Sequence, residues 1–145
     1  MSNTVASRDK APRNLLVALK EAQTKHGWLP PDFMAELAES LDVPLNDVYG
    51  VASFYSFLTI RPLGRNVIRI CKSLPCYLQN CQTIIETVEK EIGIKPGETT
   101  PDGRFSFELT NCIGLCDRAP AMLINNAPHV DLTPKKIARI LQSYK

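Results

Sequence analysis

Two groups of cysteines impose the strongest constraint on this 145-residue chain. Three cysteines lie in CKSLPCYLQNC at residues 71–81, and two more lie in CIGLC at residues 112–116. A chain of this length can bury a core of its own, so it does not need disulfides as staples. An odd number of cysteines also fits a disulfide framework poorly. The grouping therefore indicates metal binding or redox chemistry.

The N-terminal sequence and the overall charge narrow the class of protein further. Residues 1–14, MSNTVASRDKAPRN, lack the apolar segment of a signal peptide, and no later run approaches the roughly 18 apolar residues of a membrane span. We expect a cytoplasmic protein, in which reduced cysteines are the rule. The net charge of +2 is too small to indicate binding to nucleic acid or to an anionic membrane.

The front half of the chain has the apolar periodicity of helices. Prolines at 12, 30, 31 and 44 stand where helices begin, and Gly27 stands where one ends. No lysine or arginine occurs from His26 to Ile60, so this half is locally acidic. The pattern predicts three helices, whose apolar positions include Leu15, Leu19, Phe33, Met34, Leu37, Leu41, Leu45, Val48, Ala52 and Tyr55.

The pattern of apolar residues changes after IRPLG at residues 60–64. The proline and the glycine of this segment predict a turn and a module boundary. RNVIRI then predicts a strand that ends at Cys71, and QTIIETVEKEIG predicts an amphipathic helix ending at Gly93. PDGRFSFEL and AMLIN predict two further strands, and a fourth is expected near His129 to Asp131. LTPKKIARILQSY closes the chain as a helix capped by Thr133. The back half is therefore mixed α/β.

Four of the five cysteines form two pairs with ligand-like spacing. Four residues separate Cys71 from Cys76, and three separate Cys112 from Cys116. Each pair is predicted to lie in a loop just after a strand, so neighbouring strands would bring the four thiols together. Cys81 instead begins the apolar face of the next helix, where a free cysteine behaves as a small buried hydrophobe.

Four convergent thiolates suit either an iron–sulfur cluster or a structural zinc. The four-residue spacer between Cys71 and Cys76 is loose for zinc, which favours iron–sulfur and leaves zinc open. The two histidines are remote from the cysteines in sequence, and we expect both to be ordinary polar residues. Arg69, Lys72 and Arg118 flank the cysteines. They are candidates for tuning a cluster's potential, the alternative being solvated surface charges.

Two other classes can be weighed on the same residues. AELAESLDVPLNDVYGVASFY has the outline of a helix-turn-helix, but its would-be recognition helix carries Asp47 and no lysine or arginine, so it would repel phosphate. The aromatic run at Phe54, Tyr55 and Phe57 fits a core or a protein interface, with core as the default. A thioredoxin-type thiol enzyme would need two residues between paired cysteines, a spacing absent from this sequence.

Several short motifs lie before, between and around the cysteine pairs. GVASFYSF, the two spaced cysteines, GIKPGETTPDGRF and CIGLCDRAP follow in order over about residues 13–144. This combination resembles the thioredoxin-like [2Fe-2S] ferredoxin family, which includes small subunits of respiratory NADH dehydrogenase and of NAD-linked or electron-bifurcating hydrogenases and formate dehydrogenases. The resemblance implies an α+β fold, with a flexible N-terminus at 1–12, a helical bundle at 13–60 and a thioredoxin-like α/β domain at 65–145.

The resemblance also implies a function and a site. Its pattern assigns one [2Fe-2S] cluster to Cys71, Cys76, Cys112 and Cys116, requires no ligand at Cys81, and implies a cis peptide at Ala119-Pro120. The chain would be a non-catalytic electron-transfer subunit that docks on a flavoprotein binding FMN and NAD(H). Because no glycine-rich dinucleotide fingerprint follows a strand here, we expect FMN and NAD(H) to bind that partner. A zinc-stabilised interaction module is the alternative.

Overall fold

The structure, a computed structural model, describes residues 11–144. The chain divides after Pro62 into two compact units. Helices and a four-stranded mixed sheet are both present, which confirms the α+β class. Residues 1–10 of the predicted flexible N-terminus lie outside the described residues, whereas Ala11 and Pro12 belong to the first helix.

Three helices make up the described part of the first unit: α1 Ala11–His26, α2 Pro31–Leu41 and α3 Leu45–Phe54. Pro31 stands in the first turn of α2 and Pro44 precedes α3, where a proline's missing N–H costs no helical hydrogen bond. Gly27 ends α1 with a φ of +80°, a conformation that glycine adopts without strain. The helices bury a common apolar cluster formed by Leu15, Leu19, Ala22, Leu29, Met34, Leu37, Ala38, Val48 and Ala52.

The second unit alternates strands and helices. Its elements are β1 Asn66–Cys71, α4 Leu74–Leu78, α5 Cys81–Ile92, β2 Phe105–Thr110, a 3₁₀ turn Cys116–Arg118, β3 Met122–Ile124, β4 Ala127–His129 and α6 Pro134–Ser143. The sequence did not predict the short helix α4 or the 3₁₀ turn, because neither is long enough to show a helical period. Thr133 caps α6 as predicted, its hydroxyl accepting a hydrogen bond from the Lys136 amide at 3.3 Å.

The four strands form one sheet in the order β2-β1-β3-β4. β1 runs parallel to β2 and antiparallel to β3, which pairs antiparallel with β4. The fourth strand starts at Ala127, earlier than the expected His129. A tight turn explains the difference: Asn125 has a φ of +55°, and the hairpin register pairs Ile124 with Ala127.

The core of the second unit lies between the sheet and the helices α5 and α6. Alternating residues of β1 and β2 supply the sheet side, with Ile68, Ile70 and Phe107 fully buried. Helix α5 contributes Ile84, Ile85 and Val88, and α6 contributes Ile137 and Leu141. This packing fixes β1 and β2 side by side and so determines where both strands end.

The structure also bears on membrane insertion. Within residues 11–144, no helix combines the length and the apolar character needed to cross a bilayer.

Gly64, at the start of the second unit, lies against the segment that leads into β2. An added Cβ would lie 2.9 Å from the Gly103 carbonyl oxygen and from the Phe105 carbonyl carbon. We expect Gly64→Ala to lower the free energy of unfolding of this unit by about 1–3 kcal/mol, because backbone atoms must move apart. Urea denaturation followed by circular dichroism measures this change.

Gly50 provides the matched control. It lies inside α3, and nothing among the described residues stands within 4 Å of an added Cβ there. Gly50→Ala should be neutral or should stabilise the first unit by about 0.5–1 kcal/mol. Equal stability of the Gly64→Ala and wild-type proteins would contradict the close approach described here.

Candidate metal centre

The parallel pairing of β1 and β2 brings the two cysteine groups to one edge of the sheet. Cys71 is the last residue of β1, and it is in register with Thr110, the last residue of β2. Cys112 follows two residues after that end of β2. Since parallel neighbours end at the same edge, the segments that carry the four cysteines leave the sheet together. Both cysteine groups therefore follow the same edge of the sheet.

The first pair, Cys71 and Cys76, is buried. Cys71 is 1% exposed and Cys76 is 2% exposed, and each thiol shifts the pKa of the other. The sequence predicted a loop around Cys76, but this residue lies on the short helix α4. Pro75 occupies the first turn of that helix, which fixes its start directly after β1.

The second pair, Cys112 and Cys116, is exposed at the surface of the same edge. Their sulfur atoms are 3.3 Å apart. Between them Gly114 adopts a φ of +79°, and its amide donates a hydrogen bond to the Cys112 sulfur at 3.4 Å. Glycine is favoured in this left-handed conformation, so it lets the loop close on the sulfur without strain. Cys116 begins the 3₁₀ turn.

The pKa values differ within the buried pair. Burial raises the pKa of Cys71, but hydrogen bonds with the Ser73 backbone, the Cys76 thiol and the Ser73 hydroxyl outweigh it, and the net shift is downward. Burial, together with the neighbouring Cys71, raises the pKa of Cys76 to about 11. Cys71 is thus the member of this pair that ionises first, and thiolates are the form that binds metal.

In the second pair, the hydrogen bond to Cys112 is the largest influence on Cys116. It raises the pKa of Cys116, and partial desolvation and the negative charges of ionised Cys112 and Cys71 act in the same direction. Mutual repulsion of this kind arises when several thiols crowd into one site. It is relieved when a cation binds them, because each thiolate then faces positive charge.

Cys81 lies in the apolar core, as the helical pattern predicted. It is the first residue of α5, is 2% exposed, and belongs to the cluster that contains Ile84, Ile85 and Val88. Burial raises its pKa, and the charge of an ionised Cys71 adds to the shift. Its place in the core explains its burial without a ligand role.

The three flanking cations differ in their surroundings. Arg69 is buried, and its Nε lies 3.1 Å from the Glu108 carboxylate on the adjacent strand. The alternative of a solvated surface charge is therefore excluded for Arg69. Lys72 is exposed, and Arg118 is an exposed partner of Asp131, with a 2.5 Å contact between Nη2 and Oδ2. Of the three, Arg69 is the buried one, and its charge is paired with that of Glu108.

The four thiols are divided into a buried pair and an exposed pair. Within residues 11–144, no three or more histidine, cysteine or acidic side chains surround a single point in the manner of a one-ion site. A two-iron cluster distributes four thiolates between its irons. The buried pair and the exposed pair at one sheet edge fit that division.

Two further features of this edge were not identified from the sequence. The Thr110 hydroxyl is buried and has no hydrogen-bond partner among residues 11–144. Three apolar side chains of α4 are also strongly exposed beside Cys76: Leu74 at 67%, Tyr77 at 63% and Leu78 at 70%. The apolar surface of α4 could have been found from the many apolar residues in LPCYL. It was missed because this segment was assigned to a loop.

Two other expectations can be compared with the structure. The Ala119-Pro120 peptide is cis and precedes β3, as the resemblance implied. The default assignment of the aromatic run to the core is wrong: Phe54 is 80% exposed, and Tyr55 and Phe57 are also exposed. These side chains belong to a surface of the first unit.

The chain was compared with known protein families and structures. The thioredoxin-like [2Fe-2S] ferredoxin family matches residues 1–145. This chain belongs to that family. The resemblance inferred from the linking motifs is therefore confirmed.

Curated relatives of this ferredoxin are E-type subunits of NADH-quinone oxidoreductase. The Escherichia coli K12 protein is 44% identical over 128 residues, which cover 88% of this chain and 77% of the relative. The Pseudomonas aeruginosa protein is 40% identical over 127 residues, covering 88% and 76%. Both matches extend over most of the two proteins compared.

Solved structures similar to this ferredoxin include an NAD⁺-reducing [NiFe]-hydrogenase. Its air-oxidised form superposes with a TM-score of 0.74 at 29% identity, covering 89% of this chain and 23% of the hydrogenase chain. The H₂-reduced form gives a TM-score of 0.75 at 28% identity, covering 90% and 22%. This chain thus spans less than a quarter of the matched hydrogenase chain.

Burial and pKa together predict the order in which the thiols of the metal-free protein react. We expect iodoacetamide at about pH 8 to label the exposed Cys112 and Cys116 first. Cys76 and Cys81 should resist labelling until the protein is denatured, because both are buried and have raised pKa values. Peptide mass spectrometry after timed labelling measures the order.

Raising the pH to about 9 should leave Cys76 protected, since its pKa of about 11 keeps it protonated. Denatured protein is the control, in which all five cysteines should react at comparable rates. Early labelling of Cys76 in the folded protein would contradict the buried position of this residue on α4.

Proposed function

We propose that this chain is an electron-transfer subunit that carries one [2Fe-2S] cluster on Cys71, Cys76, Cys112 and Cys116. One observation carries the proposal: two thiol pairs leave the same edge of the sheet, from the ends of the adjacent parallel strands β1 and β2. Family membership supports a cluster of this type at these thiols. Residues 13–60, within the first unit, are assigned as the family's helical bundle, and residues 65–145, within the second unit, are assigned as the cluster domain.

The cluster supplies a centre that takes up or releases one electron at a time. The chain's own residues determine how that centre is held. Cys71 and Cys76 would hold it with buried thiolates, and Cys112 and Cys116 would hold it with exposed ones. The Gly114 amide donates to the Cys112 sulfur and so stabilises negative charge there. The charges of Arg69 and Glu108 largely offset each other beneath the site.

The partner is proposed from the chemistry that the relatives' names share. NADH-quinone oxidoreductase and NAD⁺-reducing hydrogenase both use a nicotinamide cofactor. NAD(H) exchanges a hydride, whereas an iron–sulfur cluster exchanges single electrons, so a flavin is needed to link the two. We place FMN and NAD(H) on a partner flavoprotein of an oxidoreductase complex, and this chain exchanges single electrons with that flavin. The chain is non-catalytic by itself, and we propose a cytoplasmic location.

A surface beside the site supports docking. Leu74, Tyr77 and Leu78 of α4 are each at least 63% exposed and flank the buried ligand Cys76. Exposed apolar side chains grouped in this way are typical of protein interfaces. Electron transfer slows steeply with distance, so a partner that covers α4 would lie close to the cluster.

A zinc-stabilised interaction module is the second candidate. Four cysteine thiolates are also a zinc ligand set, and the exposed aromatic residues of the first unit would serve such a module. The two candidates differ in colour, in metal content and in their response to reductant.

The direct test is the metal and sulfide content of anaerobically purified full-length protein. We expect about two irons and two acid-labile sulfides per chain, visible absorption that bleaches with dithionite, and a rhombic EPR signal in the reduced state. One zinc per chain and a silent spectrum would instead establish the structural module.

Two cysteine variants test the ligand set. Cys112→Ala should remove or remodel the cluster, because it deletes one of four thiolates. Cys81→Ala should leave the EPR signal nearly unchanged and lower the free energy of unfolding by about 1 kcal/mol, since it removes a buried core atom. A cluster lost from Cys81→Ala but kept in Cys112→Ala would overturn the assignment.

The α4 surface is tested by charge insertion. Leu78→Glu should weaken binding to the NAD(H)-oxidising flavoprotein by about tenfold or more, which corresponds to about 1.4 kcal/mol. The control is Val17→Glu, which adds the same charge at a side chain that is 54% exposed on α1. Titration of the purified partner measures affinity, and an unchanged EPR signal verifies the cluster. Equal affinities for the two variants would exclude α4 from the interface.

A further inference from the structure

The Thr110 hydroxyl is a buried polar group whose side chain finds no hydrogen-bond partner among the described residues. Thr110 is 2% exposed, and its Oγ1 is unpaired within residues 11–144. Its backbone carbonyl accepts a hydrogen bond from the Lys72 amide at 3.0 Å. Leaving a buried hydroxyl unpaired costs about 1–3 kcal/mol. The unpaired hydroxyl therefore suggests a hydrogen-bond acceptor that is not part of residues 11–144, such as a bound group.

The position of Thr110 indicates which acceptor that is. Thr110 is the last residue of β2, in register with the ligand Cys71 and two residues before the ligand Cys112. Strands in a sheet lie about 4.8 Å apart, so paired side chains on one face are neighbours. Residues Arg69 and Glu108 pair in the same register two positions earlier, and their side chains make a 3.1 Å ion pair. The side chains of Cys71 and Thr110 therefore share the face that carries this pair.

The other orphaned polar group provides a contrast. Among the described residues, Asn66 Nδ2 and Thr110 Oγ1 are the two buried side-chain atoms without a partner. Asn66 begins β1, at the opposite end of the strand from Cys71. Of these two residues, Thr110 is the one near the proposed ligands. Its hydroxyl can donate a hydrogen bond to a sulfide.

We propose that the Thr110 hydroxyl donates a hydrogen bond to a sulfide of the bound cluster and raises the cluster's reduction potential. This inference rests on the proposed [2Fe-2S] site. Reduction by one electron takes the cluster's charge from about −2 to about −3, so a donor to sulfur stabilises the reduced state more than the oxidised one. Thr110 is a positioning and tuning residue and does not itself bind iron.

The test compares Thr110→Val, which removes the donor at similar volume, with Thr110→Ser, which keeps it. In EPR-monitored redox titrations with dithionite, we expect Thr110→Val to lower the ratio of reduced to oxidised cluster at a fixed potential by about three- to tenfold. Tenfold corresponds to about 59 mV for one electron. Thr110→Ser should stay close to the wild type.

A spectroscopic signature separates a hydrogen bond from a general structural effect. Electron–nuclear double resonance of the reduced wild-type protein should show a proton that couples to the cluster and exchanges in D₂O. That signal should vanish in Thr110→Val and persist in Thr110→Ser. An unchanged titration and an unchanged proton signal in Thr110→Val would overturn the proposal.

Stability of the metal-free protein adds an independent readout. Thr110→Val should unfold at the same or a higher urea concentration than the wild type, because it removes an unpaired buried hydroxyl. A marked loss of stability in Thr110→Val, but not in Thr110→Ser, would mean that the hydroxyl already has a protein partner, and would also overturn the proposal.

Ser106→Ala is the matched control on the same strand. The Ser106 hydroxyl lies on the same face of β2, away from the cysteines, and accepts from the Gly64 amide at 2.7 Å. Its loss should destabilise the fold without moving the potential, and a shift equal to that of Thr110→Val would count against a specific role for Thr110. If Thr110→Val does not assemble a cluster, Thr110→Ala is compared with Thr110→Ser in the same way.

The proposed function and the tuning role of Thr110 can fail separately. A wild-type protein without iron and sulfide would refute both together. A wild-type protein with a normal cluster and a Thr110→Val variant of unchanged potential would refute the tuning role alone.

Discussion

The parallel pairing of β1 with β2 is the constraint on which the candidate site depends. It places the ends of two strands that are distant in sequence at one edge of the sheet, with Cys71 opposite Thr110. Both short ligand segments start from that edge. The pairing is maintained by the packing of Ile68, Ile70 and Phe107 against α5 and α6, so the apolar core determines where sulfur atoms can meet.

The site joins two environments. The buried pair is enclosed by the core and lies beside the Arg69–Glu108 ion pair, whereas the exposed pair meets solvent. In the buried pair, desolvation raises the pKa of Cys76. In the exposed pair, Cys112 raises the pKa of Cys116. A metal cluster bridging the pairs would be anchored from within and remain close to the surface, which is the geometry that single-electron exchange with another protein requires.

Much of this arrangement was accessible from periodicity and spacing. The three front helices, β1, α5 and the capped α6 follow from apolar repeats and from proline and glycine positions. Elements too short to show a period were missed, which is why Cys76 was assigned to a loop and not to α4. The exposure of Phe54 was missed for a different reason: a helical pattern identifies apolar residues but does not say which of them another element covers.

The sequence by itself determined the ligand candidates and the family, because cysteine spacing and linking motifs are local properties of the chain. It also separated Cys81 from the other cysteines, since the face of one helix can be read from its own residues. Only the tertiary structure decided that β1 lies beside β2, that one thiol pair is buried and the other exposed, and that the Thr110 hydroxyl is unpaired among the described residues. Register and burial depend on contacts between segments far apart in the chain, and no local pattern contains those contacts.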